Sequence, residues 1–120
     1  MQKKILVVDD DEGFQELLKV RLGNAGYQVI IASDGVDGVC CAQEERPDLI
    51  LMDAIMPNLN GYMAVKELQA KKETAAIPII ILSARENIEE IFSTEGIKDY
   101  IHKPFESEEL LSKIKKYLNA

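Results

Sequence analysis

Short uninterrupted apolar runs alternate along the chain with longer stretches in which apolar residues recur every three or four positions. The runs fall at residues 5–8, 29–32, 49–52, 77–82 and, more weakly, 100–101, and are rich in β-branched and aliphatic side chains. Runs without polar alternation suit strands buried on both faces, as in parallel sheets. Between them Phe14, Leu17, Leu18 and Leu22 share a helical face, as do Val36, Val39 and Cys40, then Ala64, Val65 and Leu68, and finally Leu110, Leu111, Ile114 and Leu118. Ile88, Ile91 and Phe92 predict a short fourth helix over 87–92, before Ser93-Thr94-Glu95-Gly96 interrupts the pattern.

The punctuation agrees with this division. Gly23 and Gly26 lie near the end of the first helical stretch, Asp34-Gly35 opens the second, and Arg46-Pro47-Asp48 separates it from the third run. Pro78 is expected at the first position of its strand, where a missing N–H is tolerated. No repeat, low-complexity tract or change of composition marks a linker, so residues 1–120 are expected to form one α/β domain of (βα)5 type. Right-handed crossovers then place helices on both faces and make the carboxyl ends of the strands the place to look for a ligand site.

Composition narrows the function. The chain has 120 residues, 47% of them hydrophobic, and 14 basic against 21 acidic side chains give a net charge of −7. Such a charge repels phosphate backbones and anionic lipid, so no direct nucleic-acid or membrane partner is expected. No apolar run approaches the ~20 residues of a spanning helix, and no apolar signal segment follows Met1. Cys40 and Cys41 are adjacent and cannot staple distant segments, which fits a reducing cytoplasm. They read as packing residues, because metal sites want spaced cysteines with other ligands nearby.

Polar residues gather where the predicted strands end: Asp9, Asp10 and Asp11 after the first, Asp53 at the third, Ser83 at the fourth, Lys103 with Pro104 at the fifth. In a parallel sheet these loops converge. Clustered carboxylates repel one another until a proton or a divalent cation intervenes, and an open, oxygen-rich set suits Mg²⁺, which keeps water and leaves room for a phosphoryl oxygen. Asp53 is then placed to attack phosphorus as a carboxylate nucleophile, Lys103 to neutralise the transferring oxygens and Ser83 to donate a hydrogen bond. His102, the sole histidine, is assigned no role, and Lys113, Lys115 and Lys116 read as cations at a helix C-terminus.

The stretches Ile5-Leu6-Val7-Val8-Asp9-Asp10-Asp11, Leu51-Met52-Asp53-Ala54-Ile55-Met56-Pro57-Asn58-Leu59-Asn60-Gly61, Leu82-Ser83-Ala84 and Asp99-Tyr100-Ile101-His102-Lys103-Pro104-Phe105 together resemble the receiver (CheY-like) domains of two-component response regulators. The resemblance spans the chain. It implies a doubly wound, flavodoxin-like sheet of order 2-1-3-4-5 and a phosphoacceptor function. It further implies that Asp53 accepts the phosphoryl group from a phosphohistidine on a sensor histidine kinase or phosphotransfer protein, and that Asp53, Asp10 and the backbone carbonyl of Ile55 ligate Mg²⁺, with Asp9 acting through water. Ser83 is implied as the switch hydroxyl, Tyr100 as the aromatic that moves inward, and Lys103-Pro104 as a cis peptide pair. The output surface is implied to be the fourth helix, fifth strand and fifth helix, on a monomer or a homodimer formed on phosphorylation. The product is expected to decay slowly rather than turn over, since Ile55 cannot hydrogen-bond an attacking water.

One departure stands out: only 20 positions separate Ser83 from Lys103, a span shorter than the family's by roughly half a helical turn. Ile97 also replaces a small residue there. Two other readings compete. A pseudo-receiver that never carries phosphate is expected to lack part of the Asp9, Asp10, Asp53, Ser83 and Lys103 set, which is intact. A haloacid-dehalogenase-like phosphatase would use Asp9 of Asp9-Asp10-Asp11 as nucleophile, but Gly13 stands where that pattern wants Thr or Val, and Asp53 goes unexplained.

Overall fold

A computed structural model describes residues 2–53, 61–83, 97–103 and 105–118. The described elements follow the chain as β1 (Lys4–Val8), α1 (Glu12–Asn24), β2 (Gln28–Ala32), α2 (Gly35–Glu45), β3 (Leu49–Asp53), α3 (Gly61–Ala70), β4 (Ile79–Ser83), β5 (Ile97–His102) and α4 (Ser107–Leu118). The last helix is the one expected as the fifth. The short helix predicted over 87–92 and the shortened segment around it lie outside the described residues, as do Ile55 and Pro104 with its peptide bond.

The five strands are parallel and ordered β2-β1-β3-β4-β5, as the resemblance implied. Alternation of side chains along each strand divides the core into two layers. Leu6, Val8, Ile50, Met52, Ile79 and Ile81 face α2 and α3, against Val39, Ala42, Ala64, Val65 and Leu68. Ile5, Val7, Leu49, Leu51, Ile80 and Leu82 face α1 and α4, against Leu18, Leu22, Leu110 and Ile114. Both faces are covered, which is why the strand sequences are apolar without interruption.

The structure adjusts several expectations. Strand β5 runs from Ile97 to His102, longer than the pair of residues its sequence advertised, and its register against β4 shifts between Ile79 and Ile80. Pro78 immediately precedes β4 instead of opening it, and its carbonyl accepts from the N–H of Ile50 at 3.0 Å. On α2 the buried face is Gly35, Gly38, Val39 and Ala42, while Val36 and Cys40 are exposed. Small residues carry that face because the helix lies close to β1: a Cβ on Gly38 would meet both Val8 methyls at 2.9 Å. Leu17 likewise lies at the rim of its helix, 41% exposed.

Helix ends follow capping chemistry. Asp11 caps α1 by accepting the N–H of Phe14 at 3.2 Å, and Asp34 caps α2 by accepting that of Asp37 at 2.8 Å. After α1 the chain reverses through Gly26, whose φ of 97° is open to glycine at little cost. At the end of α2, Arg46 adopts the left-handed conformation with φ 48°.

Candidate functional site

Strand order determines which loops meet. β1 and β3 are neighbours with Val8 opposite Met52, so Asp9 and Asp53 leave adjacent strands at one edge of the sheet. On the other side of β3, Asp53 is opposite Leu82, next to Ser83. The N–H of Lys103 donates to the Ser83 carbonyl at 2.8 Å, extending the β4–β5 ladder by one residue and delivering the lysine to the same edge.

Asp9 is 1% exposed and its hydrogen-bonding capacity is used on both carboxylate oxygens. Its Oδ1 accepts the N–H of Asp11 at 2.9 Å and its Oδ2 accepts Lys103 Nζ at 2.9 Å. Its own N–H donates to the Ala32 carbonyl at 3.0 Å, and its carbonyl accepts from the side-chain amide of Gln15, which also donates to Ser33 Oγ at 3.3 Å. Lys103 Nζ stands 3.9 Å from Asp53 Oδ2, and the Asp53 side chain keeps 15% of its surface in solvent. One carboxylate oxygen from each of Asp9, Asp10 and Asp53 lies within 4.8 Å of the others. Asp10 is exposed, so the cluster is buried at Asp9 and open at Asp10.

Such a donor set fits a hard divalent cation. Among the described residues, three carboxylate oxygens meet the Lys103 ammonium, the group is accessible from solvent at Asp10, and the clustered donors are all hard oxygens. Asp9, Asp10, Asp53 and Lys103, predicted from sequence, are thus brought together, and Ser83, 3% exposed at the end of β4, borders them. Tyr100 is half-buried in β5 and packs against the layer of Ile79 and Ile81. His102 is exposed at the end of β5. Cys41 packs against the core, and burial, then the charges of Asp37 and Glu44, push its thiol up.

Two residues with site contacts were not singled out from sequence. Gln15 holds the Asp9 carbonyl, and Phe14 presents its ring to Lys103, whose Nζ lies 4.1 Å from the ring centroid. Both follow the acidic run within a turn of α1, and that proximity was the available signal. The apolar periodicity assigned Phe14 to the core alone.

The family model for the response regulator receiver domain matches residues 5–115. The chain belongs to this family. A receiver domain is a phosphoacceptor signalling module of two-component systems, which works with histidine kinases and output domains and is not a turnover enzyme. Protein PilH of Pseudomonas aeruginosa is 40% identical over 113 residues, covering 92% of this chain and 93% of PilH. The alkaline phosphatase synthesis transcriptional regulatory protein PhoP of Bacillus subtilis is 41% identical over 120 residues, covering 98% of this chain but 49% of PhoP. This receiver domain therefore spans nearly all of one curated relative and about half of another. Among solved structures, the receiver domain of sensor histidine kinase PA1611 from Pseudomonas aeruginosa PAO1 superposes with a TM-score of 0.93 at 33% identity, each chain fully covered, and holds a magnesium ion in its active-site cleft. Chemotaxis protein CheY4 of Vibrio cholerae gives 0.91 at 30% identity, over 98% of this chain and 100% of that one.

Proposed function

We propose that Asp53 is the phosphoacceptor of this receiver domain and that the donor is a phosphohistidine on a sensor histidine kinase or phosphotransfer protein. The observation that carries this reading is the meeting of Asp9, Asp10 and Asp53 oxygens within 4.8 Å with Lys103 Nζ 3.9 Å from Asp53. Among the carboxylates of the pair on adjacent strands, Asp9 is occupied on both oxygens, whereas Asp53 is partly open to solvent. That contrast also speaks against the phosphatase reading, which needs Asp9 as the free nucleophile.

An Asp53 oxygen forms the new P–O bond as the P–N bond to the donor imidazole breaks, and the bonding electron pair leaves with the imidazole nitrogen. Lys103 meets the charge on the transferring oxygens, and Ser83 donates its hydroxyl to one of them. Mg²⁺ would be held by Asp10, Asp53 and the backbone carbonyl of Ile55, with Asp9 assisting through water, and would supply the remaining positive charge. Ser83 and Tyr100 then carry the change to a face formed by the predicted fourth helix, β5 and α4. Slow loss of the phosphoryl group belongs to the same reading, because Ile55 offers attacking water no hydrogen bond. The unpaired Cys40 and Cys41 suit action in the cytoplasm, and no described helix is long and apolar enough to cross a membrane. The whole of residues 1–120 is taken as the one receiver domain.

Incubation with Mg²⁺ and acetyl phosphate is expected to add one labile phosphoryl group, seen by intact-mass spectrometry and absent from Asp53→Asn. An undiminished adduct in that variant overturns the assignment.

A further inference from the structure

We propose that Phe14 is a positioning residue for Lys103, holding its ammonium at the phosphoryl site by the face of its ring; this rests on Lys103 being the phosphoryl partner. Lys103 Nζ lies 4.1 Å from the Phe14 centroid, well inside the range in which a ring's negative face attracts a cation. The ring is itself held in two ways. Its backbone N–H donates to the Asp11 cap at 3.2 Å, and its ring meets Phe105 edge to face at 5.8 Å and 79°. Phe105 follows Lys103 by two residues, so the ring that meets the lysine is also packed against a residue just beyond it in the chain.

What the ring adds follows from where the other contact goes. The strongest partner of Lys103 is Asp9 Oδ2 at 2.9 Å, and Asp9 belongs to the carboxylate cluster. A lysine carries a point charge on a flexible stem, and a carboxylate alone leaves its direction loosely determined. Any demand on Asp9 from the cluster weakens that contact. The Phe14 ring is uncharged and offers no ligand oxygen, so its attraction for the ammonium does not compete with the cluster. Besides Asp9 at 2.9 Å and Asp53 at 3.9 Å, Lys103 therefore has in the ring a contact that is independent of the carboxylate cluster. A filler of the core would need only the ring's volume, whereas a positioning role needs its π face.

The test compares the full chain with Phe14→Leu, which keeps apolar bulk, and Phe14→Tyr, which keeps the ring. In metal-free protein, NMR is expected to show the Lys103 Hε protons shifted upfield by the ring, a shift lost in Phe14→Leu and retained in Phe14→Tyr. With Mg²⁺ and acetyl phosphate, phosphorylation of Phe14→Leu is expected to slow by about fivefold, equivalent to ~1 kcal/mol, with Phe14→Tyr within about twofold of the parent. Parent-like Lys103 shifts in Phe14→Leu, or equal rates in Phe14→Leu and Phe14→Tyr, overturn the proposal. If Phe14→Leu fails to fold, Phe14→Tyr and Phe14→Met take the same two measurements, and Met behaving like Tyr overturns it. Absence of phosphorylation in the parent chain would sink the reading of Asp53 and Lys103, while the metal-free shifts still decide whether Phe14 holds the lysine.

Discussion

At the scale of single residues the site is built on imbalance. Three carboxylates converge within 4.8 Å and, among the described residues, Lys103 is the ammonium paired with them, so like charges repel within the metal-free cluster. Asp9 is buried but satisfied on both oxygens, which leaves Asp10, exposed and at the open side, as the carboxylate whose charge is removed with least damage. Asp10→Asn is expected to move two measurements in opposite directions. The metal-free chain should withstand denaturant slightly better because repulsion is relieved, and Mg²⁺ should bind at least about tenfold more weakly because a hard ligand and its charge are lost together. Denaturant melts without metal and a Mg²⁺ titration check this pair, and lower metal-free stability would refute the repulsion argument.

At the scale of elements, β5 and α4 are joined by a polar network centred on Asp99. Burial pushes the Asp99 carboxyl up, but the N–H of Tyr100 at 2.8 Å, Lys113 Nζ at 3.1 Å and the Tyr117 hydroxyl at 3.0 Å together hold it below its ordinary value. Lys113 also donates to the Tyr100 carbonyl at 2.8 Å, and the Tyr117 hydroxyl is shared with the Lys98 carbonyl at 2.9 Å. The helix thus grips three successive residues of the edge strand that carries Tyr100. A carboxyl lowered on folding adds stability that is fully present above its unfolded value of 3.8 and is lost as the pH falls through the lower folded value. Tyr117→Phe is expected to cost about 1 kcal/mol near neutral pH, and the difference from the parent should narrow as Asp99 is protonated. Urea unfolding at about pH 6 and about pH 3 measures this; a gap that widens toward acid pH would show that the network does not hold the ionised carboxyl.

At the scale of the whole molecule, the sheet separates two apolar layers, and the carboxylate–lysine cluster proposed to take the phosphoryl group is joined to Tyr100 through β4 and β5. Ser83 ends β4, Lys103 bonds to its carbonyl, and Tyr100 pairs with Ile81 two residues before Ser83. A phosphoryl group can shift Tyr100 only by interacting differently with two arrangements of this unit, and the Ser83 hydroxyl is the candidate for that difference. Ser83→Ala is accordingly expected to accept phosphate while losing most of the phosphorylation-induced NMR change at Tyr100 and along β5. Identical changes in parent and variant would remove the hydroxyl from the coupling.

Periodicity alone was enough for the five strands, the four described helices and their order along the chain, because side chains buried on both faces of a parallel sheet must be apolar at every position; the helix expected over 87–92 lies outside the described residues. The start of a helix was legible where capping chemistry is local, as at Asp34, whereas the cap at Asp11 emerged with the structure. The candidate chemistry was legible too: acidic, hydroxyl and basic residues at strand ends have little reason to be there except a shared site. The strand order required the resemblance, since composition does not say which strands are neighbours. Tertiary structure decided what depends on close approach. It exposed Val36 and Cys40 and buried Gly38, because the separation of α2 from Val8 leaves no room for a Cβ. It extended β5 beyond its weak apolar signal, because pairing with β4 and the grip of α4 supply what the strand's own side chains do not. It also gave Phe14 a second partner. An aromatic residue on an apolar helical face reads as core in any sequence, and only the arrival of Lys103 from the end of β5 gives its ring a charged neighbour.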